Sequence, residues 1–515
     1  MAVETLAVRN VRFESEPPFE ASAPTRADVA CFAGFVARRP GPLPAALQRW
    51  LTERGWASGV YRRAAADDLL DVPVPIDTWE SFDRLFAWDQ RPAAGSAAST
   101  TYLGAAVRSF FAEGGRKCYV VRAGNPWQVG TPLAERAPRL AALLPGFPAQ
   151  LNISVNDRRS WSGIGHLLGL PDVSFLCLPD LPDALGLGAE VIELPAEPAG
   201  VGVFEICDAP EPGGFVPAID YGAPRLDRAG YKSWAKAVEL TTDFVRRQAP
   251  EVHVIAALPL PDRREPASRN LAAFVASELL GSVTARLPSA FLQLVYPWLI
   301  TKQSADLPAG IEPPDGALAG VLARVALVRG AYRTAAGEAP VSVTDLAPIV
   351  SMEQQAVPDR PGSSSSVFGD RISLFDQGPR GYLLASDVTT SANPAYRPAA
   401  VSRLVAVLLK ALREYGETLV FEPSGERLWP ALRSQLEAML TGVWAAGGLG
   451  GASPAEAFSV RCDASTMTQD DLDAGRLVAQ VTFLPAAPIE RITVMLALSE
   501  AGGTVVSGPD LGTPP

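Results

Sequence analysis

Across 515 residues there are only two histidines and five cysteines, and no C-x-x-C pair. A zinc centre needs three or four nitrogen, sulfur or carboxylate ligands close together. Cys31, Cys118, Cys177, Cys207 and Cys462 are too scattered to begin one. Their odd number and wide spacing favour reduced, mostly buried thiols over a disulfide framework. No stretch approaches about 18 consecutive apolar residues, so no transmembrane helix is expected. The start, MAVETLAVRNVRFESE, lacks the basic region and apolar core of a signal peptide, and folding in the cytoplasm is expected. Cations are short as well: 45 Lys and Arg stand against 56 Asp and Glu, a net charge of −11. A nucleic-acid binder shows a basic domain or stripe, and net acidity disfavours phosphate and anionic lipid. Neither nucleic acid nor membrane is an expected partner.

Catalytic and cofactor signatures are missing too. There is no G-x-x-x-x-G-K-[ST] loop and no G-x-S-x-G elbow. AAGGLGGAS at 445–453 follows a helical pattern and lacks the phosphate-binding lysine, so it reads as a helix C-cap and turn. Ser363–Ser366 reads as a surface loop. His253 sits mid-strand in EVHVIAAL and His166 opens a helical stretch in SGIGHLLGL; both read as core or face histidines. Asp180, Asp183, Asp262 and Glu265 lie near strand ends, where α/β proteins often build sites. They are the strongest enzyme signal, and strand-end capping explains them equally well. No catalytic, cofactor or metal residue is assigned.

What is present is an ordinary globular balance, 48% hydrophobic and 20% charged, long enough for two to four domains at roughly 100–200 residues each. Residues 2–13 alternate weakly and precede Pro17, Pro18 and Pro24, which suggests an extended arm. VACFAGFV predicts a buried strand and PAALQRWLTERGW a helix. VPVPIDTWESFDRLFAW predicts a strand, an N-cap at Asp77 or Thr78, and an amphipathic helix. TTYLGAAVRSFFAEGG predicts a helix stopped at Gly114 and Gly115, with a strand from Cys118. The strands VSFLCLPD and EVHVIAALPLPD, with helices between and after them, suggest a partly parallel sheet. The Pro, Gly and Ala-rich stretches 123–150 and 186–225 read as loops or inserted decoration, and ALAGVLARVALVRGAY as a helix ending near Gly330.

Near the C-terminus, SRLVAVLLKALREY (402–415) predicts a helix and ETLVFEPSGE (417–426) a strand and turn. The next helix places Leu428, Leu432, Leu436, Met439, Leu440 and Val443 on one face. FSVRCD, RLVAQVTFLP and ERITVMLAL follow as strands; in the last, Ile492, Val494, Leu496 and Leu498 alternate with smaller or polar neighbours.

Four stretches taken together resemble the contractile-tail sheath family, including the sheaths of phage-tail-like injection systems. One is PVPIDTWESFDRLFAW followed by the helix and strand carrying Phe110, Phe111, Gly114, Gly115, Cys118, Tyr119, Val120 and Arg122. Another is the pair of VSFLCLPD-type strands. A third is VYPWLI (295–300) with EPPDGALAGVLARVALVRGAY, including Pro313, Pro314, Gly316, Gly320, Arg324 and Arg329. The last is LVFEPSGERLWPALRSQLEAMLTGVWAAGGLGGASPAEAFSVRCD and its following strands, with Phe421, Glu422, Pro423, Trp429, Phe458, Cys462, Asp463, Pro488 and Glu490. They cover roughly half the chain. The family's usual Ser-Pro-Gly-Val-Tyr-like arm and Trp-Gly-Ala-Arg-Thr-like strand are replaced here by VETLAVRNVRF and GYLLASDVTT, which suggests a divergent or specialised member.

The resemblance implies an α/β and α+β multidomain protein. An arm and linker would span 1–24. A mixed α/β outer sheath part, subtilisin-like without a catalytic triad, would span 25–390. A C-terminal inner domain with antiparallel strands would occupy 391–507, and a tail 508–515. It implies hexameric rings stacked helically around an inner tube, with baseplate and terminator or cap proteins as further partners, and no cofactor. Strand exchange between copies would use Val3, Leu6, Val8, Val11 and Phe13 together with Ile492, Val494, Leu496 and Leu498. Arg427, Arg433 and Glu437 would face the tube. The alternatives are a sheath-like cap, adaptor or baseplate component of the same particle, and an α/β hydrolase-like enzyme relying on His166 or His253.

Overall fold

The computed structural model describes residues 26–57, 68–93, 98–188, 191–193, 219–281, 287–419, 428–468, 477–486, 492–498 and 504–507. The proposed arm, the 508–515 tail, Cys207 and Arg427 lie outside the described residues.

Eight strands form one sheet: β1 (Val29–Phe35), β2 (Pro73–Ile76), β3 (Cys118–Gly124), β4 (Val173–Cys177), β5 (His253–Ala257), β6 (Leu292–Tyr296), β7 (Ser373–Gly378) and β8 (Gly381–Leu384). Their spatial order is β8-β7-β6-β5-β4-β1-β3-β2. The strands from β7 through β3 run parallel, and antiparallel β8 and β2 flank them. Parallel strands covered on both faces read as continuous apolar runs, and the whole of VACFAGF is buried. Its residues divide by parity: Val29, Cys31, Ala33 and Phe35 enter one core, Ala30 and Phe32 the other.

One face carries α1 (Ala45–Glu53), α2 (Trp79–Leu85), α3 (Tyr102–Ala112) and α5 (Asp315–Arg329). The Thr78 and Thr101 hydroxyls cap α2 and α3, accepting from the Ser81 and Gly104 amides. Gly114 and Gly330, both at positive φ, follow α3 and α5. α5 is buried all round over its first nine residues, so it fills the core as a small-residue helix. Its Gly320 lets it approach α3 closely: a Cβ there would stand 2.6 Å from the Phe110 carbonyl oxygen.

The other face carries α4 (Arg228–Gln248) and α6 (Ala399–Leu419). Helix α6 outruns the expected one, since 417–419 is helix and not strand. The stripe Val401, Leu404, Val405, Leu408, Leu409 and Leu412 is buried against the sheet, and that packing, with the helix preference of Leu419, outweighs the local β-preference of Thr418. The stretch 123–150 is likewise packed rather than decorative: Trp127, Leu140, Leu143 and Leu144 are buried around two short helices, Leu133–Arg136 and Leu140–Leu143.

The C-terminal unit consists of α7 (Leu428–Ala445) and an antiparallel sheet of β9 (Phe458–Arg461), β10 (Leu477–Phe483), β11 (Ile492–Leu498) and β12 (Thr504–Ser507), in that order. Leu428, Leu432, Leu436, Leu440 and Val443 form the buried stripe of α7. β12 was not expected from the sequence; TVVS is short and lies between glycines.

Candidate functional site: assembly surfaces and a closed switch point

In open α/β sheets ligands bind outside the carboxyl ends of the strands, where the strand order reverses. Here that point lies between β1 and β4, and Asp180 fills it. Its carboxylate accepts from the Phe35 amide at 2.6 Å, at the end of β1, and from the Leu103 amide at 3.1 Å, in the first turn of α3. The helix terminus that would hold an anionic ligand is taken by the chain's own side chain. Burial pushes the Asp180 carboxyl up to about 7 against these two bonds. Asp183 is engaged by Arg91, Arg136 and the Trp127 indole. Asp262, just after the short strand Leu260–Pro261, pairs with Arg264. Asp180, Asp183 and Asp262 are therefore caps and ion-pair members, while Glu265 precedes a short 3-10 turn without capping it through its side chain.

The histidines are separated from them. His253 is buried, and burial together with nearby Arg403 and Lys410 depresses it to about 3, so it stays neutral. His166 is buried against Asp71, with Nε2 2.9 Å from Oδ1. Among the described residues, no group of three or more His, Cys, Asp or Glu could hold a metal. Cys31, Cys118, Cys177 and Cys462 are free and buried. Among the same residues, no helix is long and apolar enough to cross a membrane.

Of the residues expected at assembly surfaces, those among the described residues fall on the C-terminal unit. Arg433 and Glu437 lie on the exposed side of α7 and pair with each other, Nε to Oε1, at 2.7 Å. The strand β11 lies between β10 and β12 within the chain. Ile492, Val494, Leu496 and Leu498 are in register with Phe483, Val481, Ala479 and Leu477; Leu496 and Leu498 also pair with Val506 and Thr504. Among the described residues, the edges of this sheet are β9 and β12.

Sequence reasoning missed how α6 is held. Arg403 meets Asp387 through both guanidinium ends, at 2.9 and 2.6 Å, and donates to the Ala331 and Arg333 carbonyls. Asp387 also accepts from Gln293 and the Ala335 amide. Burial works against ionisation of Asp387, yet Arg403 keeps its carboxyl below the ordinary range. Lys410 is lowered to about 8 by burial and donates to Asp172 O, Ser174 Oγ and Arg26 O. Arg413 grips Glu251. Asp172, Ser174 and Glu251 lie at the beginnings of β4 and β5, and Arg26 just before β1, so α6 clamps the amino edge of the sheet. The clue was three cations, at 403, 410 and 413, within an otherwise apolar helix.

The chain thus combines a doubly covered, mostly parallel sheet, its switch point filled by Asp180, with a C-terminal helix and antiparallel sheet. Residues 391–499 match the family described as the phage tail sheath C-terminal domain. Across the whole chain the fold is that of contractile sheath proteins. A chain of the contracted anti-feeding prophage baseplate superposes with TM-score 0.57 and 19% identity, covering 94% of this chain and 97% of that one. A chain of the contracted helical sheath of the same particle gives 0.52 and 18%, covering 94% and 98%. One from the contracted sheath complex of the PVC extracellular contractile injection system gives 0.52 and 17%, covering 94% and 96%. Among curated proteins no sequence matches this chain. The resemblance to the contractile-tail sheath family thus holds by sequence over the C-terminal segment and by fold over the whole chain. What the chain resembles is structural, not enzymatic.

Proposed function

We propose that this chain is a contractile sheath subunit that polymerises as stacked hexameric rings around an inner tube. Contraction of the sheath drives the tube through a target envelope. Its partners are further copies of itself, the inner tube protein, the baseplate and a terminator or cap protein. The particle, a phage tail or a phage-tail-like injection machine, is assembled in the bacterial cytoplasm. The observation carrying this reading is the near-complete two-way coverage by sheath chains together with the C-terminal family match.

Neighbouring subunits are joined by strand exchange. The free edges of β9 and β12 suit this role, because an edge strand presents unpaired N–H and C=O groups. Val3–Phe13 of another copy is the incoming strand, or the exchanged strand is Ile492–Leu498 itself. Arg427, Arg433 and Glu437 face the tube. Charges of this kind set register more than affinity, as a contact that must release requires.

A second reading is a single-ring cap, adaptor or baseplate component, favoured by the likeness to chains of baseplate assemblies. The chain expressed alone and viewed by negative-stain electron microscopy separates the two. Long hollow tubes with a helical repeat support the sheath, and isolated single rings at high concentration support the baseplate component.

A further inference from the structure

Beside the filled switch point, two buried guanidiniums share one carboxylate. Arg91 and Arg136 are 3% and 2% exposed. Arg91 Nη2 lies 2.6 Å from Asp183 Oδ2, and Arg136 Nη1 lies 3.6 Å from Oδ1. Their other bonds run to neutral backbone: Arg91 Nε to Trp127 O, and Arg136 to Asp183 O and Gly186 O. The next carboxyl, Asp180, is already committed to two backbone amides and is raised to about 7 by burial. The cluster therefore sets two guanidiniums against one ion-paired carboxylate, with Asp180 raised by burial beside them.

Two donors are also left over. Arg136 Nε and the Tyr102 hydroxyl are buried without a hydrogen-bond partner among the described residues. Tyr102 lies in the field of Asp183, Arg91, Asp180 and Arg136, so both orphans belong to one cluster. A cavity of about 10 Å³, lined by Arg91, Trp127, Arg136 and Asp183 among others, adjoins it. That is room for one water-sized particle. A water would satisfy the donors but not the charge, and an uncompensated buried cation is the costlier defect.

We propose that this cavity binds one small monovalent anion of halide size, held by the Arg91 and Arg136 guanidiniums at the carboxyl edge of the sheet. The charged groups lining it are Arg91, Arg136 and Asp183; Tyr102, under the Arg91 guanidinium, and Asp180, itself in the field of Asp315, lie behind them, with Arg139 stacked on Trp127 beyond. Protonating Asp180 raises the net positive charge, so binding tightens as pH falls through about 7. The site needs only the folded chain and is independent of the assembly reading.

Bromide is the probe. Sodium bromide replaces sodium gluconate at constant ionic strength, and the thermal midpoint of the full chain is followed. The midpoint rises and saturates, because a ligand bound only by the folded state stabilises it by mass action. Half-saturation comes at several-fold lower bromide at about pH 6 than at about pH 8. Arg136→Gln abolishes the response. Tyr102→Phe removes one donor with little change in shape, moves half-saturation several-fold higher, and keeps the test open if the arginine variant fails to fold. Equal midpoints in bromide and gluconate overturn the proposal, as does a response that Tyr102→Phe leaves unchanged. So does a bromide-soaked crystal in which the cavity shows only water.

Discussion

Gly34 and Asp180 share a space that admits only one side chain. A Cβ built on Gly34 would lie 2.2 Å from the Asp180 carboxylate oxygen, the same oxygen that accepts the Phe35 amide. Glycine at the end of β1 is thus what lets the acid close the switch point. Gly34→Ala is expected to destabilise the chain by about 1–3 kcal/mol, the ordinary range for overpacking a core. Combined with Asp180→Ala, the loss should fall well short of the sum of the single losses, since both changes act on one contact. Denaturant unfolding of the four proteins measures this, and strict additivity would show that the two residues do not compete.

The buried carboxyls should make stability fall between about pH 5 and 8. Glu312 is buried, donor-poor and pushed up to about 8, while its Oε1 accepts from Ser109 Oγ at 2.5 Å. Asp180 is raised to about 7, and buried Asp315 lies well above its ordinary value. A carboxyl whose folded pKa is raised binds its proton more tightly in the folded state. Its contribution is fully present below about 4, the unfolded value, and is lost as pH climbs through about 7–8. Asp387, held low, contributes the opposite limb and loses its contribution as pH falls through its folded value below 3.8. His253, depressed to about 3, contributes a rise up to about pH 6.5 that opposes this fall, so the change in slope on substituting Glu312 is the diagnostic quantity. Glu312→Gln should flatten the fall between about pH 5 and 8; an unchanged slope would show that Glu312 does not titrate there.

The Asp387–Arg403 pair is closed on both sides, with Asp387 fully buried and Arg403 nearly so. Removing one partner leaves a buried charge without its complement. Arg403→Met is expected to cost about 3–5 kcal/mol, and replacing both residues by apolar ones much less. The comparison is made by chemical denaturation of the single and double variants.

Assembly gives a separate expectation. Deleting residues 1–14 should leave the monomer's thermal midpoint unchanged and disperse filaments if the arm links neighbours. Single rings that survive the deletion would favour the cap or baseplate reading. Exchanging the charges as Arg433→Glu and Glu437→Arg preserves the in-chain pair and should weaken tube capture in co-sedimentation, while filament formation by the chain alone persists.

Much of the architecture could be read from local pattern. Apolar runs such as VACFAGF announce doubly covered parallel strands, and Thr78, Thr101, Gly114 and Gly330 punctuate helices through rules that act within a few residues. Where the reading failed, distant packing decided. Thr418 is helical because the stripe from Val401 to Leu412 is buried on a sheet built mostly before it in sequence. Trp127 and Leu140 were hidden by a Pro and Ala-rich composition that resembles a loop. Neither the strand order nor the partners of Asp180, Arg91 and Arg403 could be read from spacing, because each partnership spans from sixteen to well over a hundred residues.

Helix α6 also bears on how freely the C-terminal piece can be exchanged. The sheath-family match begins at residue 391, yet the first long helix inside it is bolted to the large sheet by Arg403, Lys410 and Arg413. A graft that joins this segment to another sheath protein at that boundary would carry a buried cationic keel into a host lacking Asp387, Ser174 and Glu251. Portability therefore requires moving the receiving acids with the helix, or cutting after it.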